Sequence, residues 1–414
     1  MSLAPGPLPA GTEAAGTAVT RQTLNNAPRV AMVAGETSGD LLAGLLLDGL
    51  AARWPALTCA GIGGPQMARR GFQAWWPSDK LAVRGYVEVL RHYREIVGIR
   101  EQLKNRLLRE PGQRPDIFIG VDAPDFNLDL EATLKAQGIK TVHFVSPSIW
   151  AWRADRVDKI RRSVDHVLCI FPFEPALLAA NGISATYVGH PLASVIALQP
   201  DRAGARRQLG LRDEDTVIAI LPGSRQSEIH YLARRFFQAA ALVKRAQPAI
   251  KFIVPAVPLL KQQIERLAGE AGFASGSTSG LQILEGQSHT ALAACDVTLI
   301  ASGTATLEAA LFKRPMVIAY NMNWLSWQIM RRKKLQPWVG LPNILCKEFV
   351  VPELLQDAAT PEALAAALLQ WVDAKSAAPD KIAAVEQRFT ELHTELRRDT
   401  AQLATDAIQQ ILED

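Results

Sequence analysis

Short apolar runs alternate with helix-like stretches along most of the chain. The runs are rich in valine, isoleucine, leucine and alanine, and many are continuous instead of alternating with polar residues. Continuous apolar runs separated by helices are typical of parallel strands covered on both faces. The pattern predicts an α/β fold with two Rossmann-like halves, with strands at 29–34, 57–61, 116–121, 141–145, 166–170 and 186–188, and then at 217–221, 252–255, 281–284, 297–300 and 316–319.

The same pattern divides the chain into segments. Residues 1–28 are rich in Pro, Gly, Ala and Thr and lack the basic start and apolar core of a signal peptide, which predicts a disordered tail. We expect alanine-rich helices at about 361–373 and 380–412, which pack back across the molecule or onto a second subunit. The expected divisions are a first domain at 29–192, a linker region at 193–215, a second domain at 216–360 and the C-terminal helices at 361–414.

Composition narrows the class of protein. The chain has 414 residues, of which 48% are hydrophobic and 21% charged, and its net charge is +4. This mildly basic charge suits an anionic ligand or a membrane surface and is far from a nucleic-acid-binding composition. No apolar run reaches the roughly 18 residues that span a membrane. Scattered cysteines without a CxxC pair predict reduced core residues of a cytosolic protein and no metal centre: Cys59, Cys169, Cys295 and Cys346.

The turn after the strand at 217–221 carries the strongest chemical signal. Gly223 allows a ligand to approach the backbone, and the helix that begins near Ser227 offers unpaired N–H groups and a partial positive charge. Arg225 adds a forked cation that fits a phosphate. We interpret this turn as an anion site for a diphosphate. The alternative is an ordinary strand–helix turn with a surface arginine.

A second turn that favours anions follows the strand at 297–300. Ser302, Gly303 and Thr304 offer N–H and hydroxyl donors at a helix start. Glu308 lies about one turn inside that helix, where it is placed to accept the hydroxyls of a ribose. The alternative for Glu308 is simple stabilisation of the helix by an acid in its first turns.

Acidic residues follow two predicted strands of the first half. Glu36 and Asp40 lie in a glycine-rich turn that matches neither a dinucleotide-binding loop nor a Walker loop, and they suit sugar hydroxyls better than phosphate. Asp122 and Asp125 follow the strand at 116–121, at the kind of strand end where open α/β sheets bind ligands, so both are candidate general bases. Helix capping is the alternative for Asp40, Asp122 and Asp125.

Two basic stretches are candidates for contact with a membrane. Residues 84–109 keep apolar side chains at helical spacing among many arginines. This pattern is typical of a helix on an anionic membrane or, alternatively, of a core-facing helix with a solvated charged face. Residues 324–338 are aromatic and basic, and they suit membrane headgroups, a partner protein or an ordinary surface helix.

Together these features predict a nucleotide-sugar transferase, with a nucleotide diphosphate held against a base in a cleft between the halves. No DxD-type metal pair lies near the turns, so we expect Arg225 and helix N-termini to neutralise the leaving diphosphate without a metal or cofactor. Three alternatives stay open: a UDP-N-acetylglucosamine 2-epimerase of the same fold, a silent nucleotide-sugar-binding protein, and a membrane scaffold.

Seven short motifs occur in order along the chain. They are AGETSGD (34–40), GVDAPDFN (120–127), VSPSIWAWR (145–153), FPFE (171–174), GHP (189–191), LPGSR (221–225) and ASGTA (301–305). This set resembles the lipid-A-disaccharide synthase family. The resemblance implies the GT-B glycosyltransferase fold and a peripheral enzyme on the cytoplasmic face of the inner membrane of Gram-negative bacteria. It also implies a homodimer that exchanges C-terminal segments.

The resemblance further implies a reaction and its residues. The family joins UDP-2,3-diacylglucosamine to 2,3-diacylglucosamine 1-phosphate with inversion, releasing UDP and a β-1′,6-linked disaccharide. Asp122 matches the family's proposed catalytic aspartate, and Arg225 matches the arginine that meets the diphosphate. The matched substrate-binding positions are Glu36, Ser224, Ser302, Gly303, Thr304, Glu308 and, on the uridine side, Asn343.

Two features depart from the family pattern. The N-terminal tail at 1–28 carries no motif, and Arg84 stands where the family has an apolar residue in its membrane-facing patch.

Overall fold

Parallel strands and intervening helices build two sheets in the computed structural model of the chain. The structure describes residues 27–35, 37–81, 86–150, 156–273, 280–333 and 335–414. Two residues singled out from the sequence, Glu36 and Arg84, lie outside these ranges, as do residues 1–26 of the expected tail.

The first sheet has seven strands among the described residues, all parallel, in the order β3-β2-β1-β4-β5-β6-β7. The strands are β1 (Arg29–Ala34), β2 (Thr58–Gly63), β3 (Gln73–Pro77), β4 (Ile117–Val121), β5 (Lys140–Phe144), β6 (His166–Cys169) and β7 (Ala185–Tyr187). Val30 of β1 pairs with Cys59 on one side and Ile117 on the other. The strand order therefore reverses between β1 and β4, which makes this place the topological switch point of the sheet.

Helices cover both faces of the first sheet. They are α1 (Thr37–Arg53), α2 (Pro65–Ala68), α3 (Tyr86–Arg109), α4 (Pro124–Ala136), α5 (Val157–Ser163), α6 (Glu174–Ala179) and α7 (Pro191–Val195). Ile99, Leu103 and Leu107 of α3 are buried together with Phe118 of β4. The described side chains of α3 therefore form a core-facing helix, which is one of the two alternatives considered for residues 84–109.

The second sheet has six described strands, also parallel, in the order β10-β9-β8-β11-β12-β13. The strands are β8 (Val217–Leu221), β9 (Lys251–Ala256), β10 (Leu281–Glu285), β11 (Val297–Ala301), β12 (Met316–Tyr320) and β13 (Glu353–Leu355). The helices are α8 (Arg202–Gln208), α9 (Gln226–Glu228), α10 (Arg234–Ala246), α11 (Lys261–Glu270), α12 (Ser288–Ala294), α13 (Thr304–Leu311), α14 (Trp324–Lys333) and α15 (Leu341–Cys346), with a π-helical turn at Ile229–Ala233 between α9 and α10. The switch point of the second sheet lies between β8 and β11.

The region expected to be a linker is partly built into the second half. Helix α8 packs on α12, and Arg206 of α8 is completely buried. The Arg206 guanidinium donates to the carbonyl oxygens of Ala294 and Asp215 and to the carboxylate of Asp296, each at 2.9 Å. These bonds tie residues 202–215 to the second sheet.

The edge strands β3 and β13 were not predicted from the sequence. Their residues are half-buried or exposed, whereas β1, β4, β8 and β11 are almost entirely buried. An edge strand needs no apolar side chains on both faces, so it lacks the continuous apolar run used to recognise the inner strands.

The C-terminal segment contains three helices in place of the two predicted. Within the fully described range 335–414 they are α16 (Pro361–Ala377), α17 (Pro379–Leu396) and α18 (Thr400–Glu413). The carboxylate of Asp399 caps α18 by accepting a hydrogen bond from the Gln402 N–H at 3.0 Å. The helix predicted at 380–412 is therefore two helices, α17 and α18, separated just before this cap. Helix α16 packs on α10, α17 contacts α13, α15 and α7, and α18 packs on α1, so the segment returns to the first half of its own chain. Among the described helices none is long and apolar enough to cross a membrane.

Candidate active site

The turns that carry the predicted site residues lie at the two switch points. In the first sheet Gly35 and the start of α1 follow β1, and Asp122 follows the neighbouring strand β4. In the second sheet the turn at 222–225 follows β8, and the turn at 302–304 follows its neighbour β11. Parallel strands end at the same sheet edge, so each pair of turns is adjacent. Open α/β sheets bind ligands at such places.

Asp122 lies in a strained turn at the end of β4. Asp122 and Ala123 both have left-handed backbone conformations, with φ of 52° and 43°. Such a conformation costs an ordinary residue such as alanine about 1–2 kcal/mol, and strain of this kind clusters at functional sites. The Asp122 N–H donates to the Phe144 carbonyl of β5 at 2.9 Å, which fixes the start of the turn. Asp122 is half-buried, and no group within the described ranges hydrogen-bonds to its carboxylate.

The second candidate base, Asp125, is engaged elsewhere. Its carboxylate forms an ion pair with Arg156 at 2.5 Å, and its side chain is 85% exposed. Pro124 is the first residue of α4, a position that proline favours. The cap position is Ala123, and no side chain caps this helix end. The capping alternative for Asp122 and Asp125 is therefore not what the structure shows.

Asp40 has a structural role. It is buried, and its carboxylate accepts hydrogen bonds from the N–H groups of Gly64, Gln66 and Met67 at 2.9, 2.9 and 3.1 Å. Asp40, in the first turn of α1, thus caps the neighbouring helix α2. Because three donors occupy the carboxylate, Asp40 is not available for sugar hydroxyls.

The turn at 222–225 is stabilised by an acid that sequence reasoning missed. The Glu228 carboxylate accepts hydrogen bonds from the N–H groups of Ser224 and Arg225 at 2.8 and 3.2 Å. Gly223 has φ of 123°, and a Cβ there would lie 2.4 Å from the Glu228 Cβ, so the turn requires glycine. The Arg225 side chain is 69% exposed and lies 3.6 Å from Glu228. The sequence signal for this role was the position of Glu228, an acid three residues after the helix cap residue Arg225.

Tyr320, the last residue of β12, also belongs to this edge of the second sheet. Burial, followed by the charge of Glu228, raises the pKa of the Tyr320 phenol, and Arg225 acts in the opposite direction. The phenol therefore stays neutral at physiological pH and is available as a hydrogen-bonding group.

The turn at 302–304 leaves a helix start open. Gly303 and Thr304 are exposed, and a Cβ added at Gly303 would meet no atom within 4 Å among the described residues. The Ser302 hydroxyl donates to the Val339 carbonyl at 3.3 Å. No side chain in the described structure caps helix α13 at Gly303. This end of α13 can therefore present its N–H groups to an anion.

Glu308 is half-buried one turn into α13. Its carboxylate lies 3.3 Å from Nε2 of His289, which comes from α12. The sequence contained no local signal for His289, because the contact joins two helices.

Asn343 is fully buried and its side chain is engaged within the protein. Its amide nitrogen donates to the Val351 carbonyl and to the Glu353 carboxylate, both at 2.9 Å, and its oxygen accepts from the Val351 N–H at 3.1 Å. Glu353 also accepts from the N–H groups of Val339 and Gly340 at 2.9 Å. Asn343 therefore shapes the segment 339–353, which carries the acceptor for Ser302.

An aromatic cluster follows β5 and links the two halves. The Trp150 indole donates to Glu174 at 3.0 Å and packs edge-on against Phe171. The Gln336 side chain, from the second half, donates to the Trp150 carbonyl at 3.0 Å. Burial raises the pKa of Glu174 to about 7 and lowers the pKa of His190, which lies beside Phe171, to about 4. Trp150 is thus a packing anchor.

Two parallel sheets with their turns at the switch points define the GT-B fold. Arabidopsis thaliana UGT89C1 has a TM-score of 0.62 at 13% identity, covering 94% of this chain and 100% of that one. The UDP-GlcNAc 2-epimerase of Neisseria meningitidis, solved with UDP-GlcNAc, has a TM-score of 0.60 at 11% identity, covering 93% and 100%. Such distant similarity shows the fold alone, which transferases and epimerases share.

Sequence similarity decides between these classes. The family model described as lipid-A-disaccharide synthetase matches residues 30–408. The lipid-A-disaccharide synthase of Albidiferax ferrireducens is 75% identical over 386 residues, which cover 93% of this chain and 97% of that protein. The chain belongs to the lipid-A-disaccharide synthase family and is an enzyme, a glycosyltransferase.

Proposed function

We propose that the enzyme transfers diacylglucosamine from UDP-2,3-diacylglucosamine to 2,3-diacylglucosamine 1-phosphate, giving UDP and a β-1′,6-linked disaccharide 1-phosphate. The observation that carries the proposal is Asp122, a half-buried carboxylate in a strained turn at the switch point, without a hydrogen-bond partner among the described residues. A general base has to be free to accept a proton from its substrate.

The proposed reaction is a single displacement. Asp122 accepts the proton of the acceptor 6-hydroxyl as that oxygen forms a bond to the anomeric carbon of the donor sugar. The bond between the anomeric carbon and the diphosphate oxygen breaks, and UDP leaves with the electron pair. Attack from the face opposite the leaving group converts an α-linked donor into a β-linked product, so the configuration is inverted.

Negative charge develops on the diphosphate as it leaves, and the second half has cationic and dipolar groups to stabilise it. The Arg225 guanidinium is exposed, the Ser224 hydroxyl lies beside it, and the open start of α13 contributes Ser302, Gly303 and Thr304. Oriented N–H groups and a fixed cation stabilise such charge without a metal ion. We propose that Glu308 accepts the ribose hydroxyls and that Glu36 lies near the donor sugar.

The test is an assay in detergent micelles with both lipid substrates in the presence of EDTA. Mass spectrometry follows the disaccharide phosphate, and UDP release is measured in parallel. Wild type should form both products. D122N should lower kcat by about 100- to 10,000-fold with unchanged UDP affinity. D125N, altered in the same turn, should retain turnover; loss of turnover in D125N with retention in D122N would assign the base to Asp125.

We propose that the enzyme acts as a homodimer on the cytoplasmic face of the inner membrane. Trp324 of α14 is 71% exposed, and Arg331 and Arg332 of the same helix are exposed, a combination that suits anionic headgroups. Charge reversal of Arg331 and Arg332 should abolish cosedimentation with phosphatidylglycerol vesicles. The matched control reverses two exposed arginines on α8 and α10, Arg207 and Arg245, and should still bind.

Exchange of the C-terminal helices between subunits is a separate part of the proposal. It would replace the packing of α18 on α1 within one chain by the same packing between chains. Sedimentation velocity measures the mass directly, and a monomer at micromolar concentration would refute the dimer.

A further inference from the structure

A buried polar cluster lies directly behind the Asp122 turn. It consists of Asn127 and Glu131, one turn apart on α4, and His143 on β5, and all three residues are completely inaccessible to solvent. Glu131 and His143 form a hydrogen bond of 2.8 Å. Neither the sequence motifs nor the proposed reaction gives this cluster a role.

Asn127 holds the strained peptide itself. Its amide nitrogen donates to the Asp122 carbonyl at 2.8 Å and lies 3.5 Å from the Val121 carbonyl. The Asp122 carbonyl belongs to the peptide that joins the two left-handed residues. The amide of Asn127 therefore fixes the orientation of this peptide, and with it the direction in which the Asp122 side chain leaves the backbone.

Glu131 and Asn127 both lie against Gly120 of β4, and Glu131 is held there by its hydrogen bond with His143. Gly120 of β4 is the register partner of His143, and a Cβ at Gly120 would lie 2.2 Å from Glu131 Oε1 and 2.8 Å from Asn127 Cβ. The two α4 side chains thus pack directly on bare strand backbone, where a glycine makes room for them. This packing leaves Asn127 little freedom to turn away from the Asp122 carbonyl.

The cluster is not explained by stability. Asn127 Oδ1, Glu131 Oε2 and His143 Nε2 are buried and have no hydrogen-bond partner among the described residues. Each such atom destabilises the folded state because it has lost water without gaining a partner, whereas apolar side chains of similar volume would carry no such cost. The cluster lies directly behind the strained Asp122 turn, and buried polar groups that destabilise the fold are kept at such places when they orient a functional residue.

We propose that Asn127 is a positioning residue of the transfer reaction: its amide holds the Asp122 carbonyl, which keeps the carboxylate in its catalytic orientation, with the Glu131–His143 pair as support. This inference rests on the proposed role of Asp122 as general base. It adds a residue that never meets the substrate but sets the geometry of the one that does.

The kinetic test combines N127A, D122A and the double variant. N127A should lower kcat by about 100-fold, the usual effect of misplacing a catalytic group by 1 Å, while the KM values and the UDP dissociation constant stay within about twofold of wild type. In the D122A background N127A should cause no further loss, because both changes remove the same function. An undiminished effect of N127A in D122A would overturn the proposal.

A matched control separates positioning from folding. L134A removes a fully buried side chain from the last turn of the same helix, far along α4 from Asp122, and should lower thermal stability while leaving kcat unchanged. The conservative variant N127D keeps the side-chain volume. It should be more active than N127A at a pH at which its buried carboxyl is protonated, because the carboxyl O–H can then donate to the Asp122 carbonyl. Loss of kcat in L134A equal to that in N127A would contradict positioning.

A readout without substrate keeps the inference separate from the proposed function. Hydrogen exchange of the amides at 121–123 should become at least about fivefold faster in N127A, a factor that corresponds to the loss of about 1 kcal/mol for a buried hydrogen bond, and should not change in L134A. Unchanged exchange in N127A would refute the role of Asn127 even if wild type makes the disaccharide. Faster exchange would support it even if the true substrates differ.

Discussion

Replacing Gly49 by alanine measures how tightly the C-terminal helix is held by the first half of the chain. Gly49 lies in α1, opposite α18. A Cβ at this position would lie 2.5 Å from Thr405 Oγ1 and 2.6 Å from the Ala401 carbonyl oxygen. The second contact is with backbone, so no side-chain rotation relieves it. Helix α18 has to shift away from α1 to accept the methyl group.

The magnitude follows from two opposing terms. Overpacking of this kind costs about 1–3 kcal/mol. Alanine is a better helix former than glycine by about 0.8–1 kcal/mol. Because the Ala401 clash is with backbone, the cost lies in the upper part of that range, about 2–3 kcal/mol. The packing of α18 in G49A should then be weaker by about 1–2 kcal/mol, which corresponds to an increase of about 5- to 30-fold in local opening. G44A, on the same helix, places its Cβ 3.0 Å from the Arg70 guanidinium, the end of a flexible side chain, and should be neutral or stabilising.

Native-state hydrogen exchange of residues 400–413 is the appropriate assay, because it reports the opening of α18 without requiring two-state unfolding of a two-domain protein. G49A should exchange faster in this segment than wild type by the expected factor, and G44A should not. Equal exchange rates in G49A, G44A and wild type would show that α18 does not pack on α1 at Gly49.

Further predictions concern charge, ligand affinity and loop structure. The pKa of Glu174 is about 7 in the folded state and 4.5 in the unfolded state, so deprotonation destabilises the fold as the pH rises. Wild type should therefore lose about 3 kcal/mol of stability relative to E174Q between pH 4.5 and 8, measured by urea unfolding. The same pH dependence in both proteins would contradict this. R225A should weaken UDP binding by about 10- to 100-fold in calorimetry, whereas R234A, exposed on α10, should not. N343A removes both hydrogen bonds to the Val351 backbone and one of those to Glu353, so it should lower stability by about 1–3 kcal/mol, with faster exchange at 339–353 as the measurement.

Much of the fold could be predicted from local pattern. The inner strands β1, β4, β8 and β11 are continuous apolar runs because both of their faces are covered, and this requirement is visible in a single sequence. The turns after them were found for the same reason: a strand, a small or acidic turn residue and a helix start are consecutive in the chain. Asp122 and Arg225 could be placed at strand ends on this basis.

The tertiary structure decided which polar groups remain free for a ligand. Asp40 and Asn343 were candidates for contact with substrate by sequence reasoning or by resemblance, yet the carboxylate of Asp40 caps α2 and the amide of Asn343 binds Val351 and Glu353. Asn127 had no predicted role and holds the Asp122 carbonyl. A hydrogen bond depends on a partner that is distant in the chain or oriented by the fold, and local periodicity contains no information about that partner. The sequence by itself therefore determined where the candidate site residues lie along the chain, and packing determined which of their side chains are free to meet a ligand.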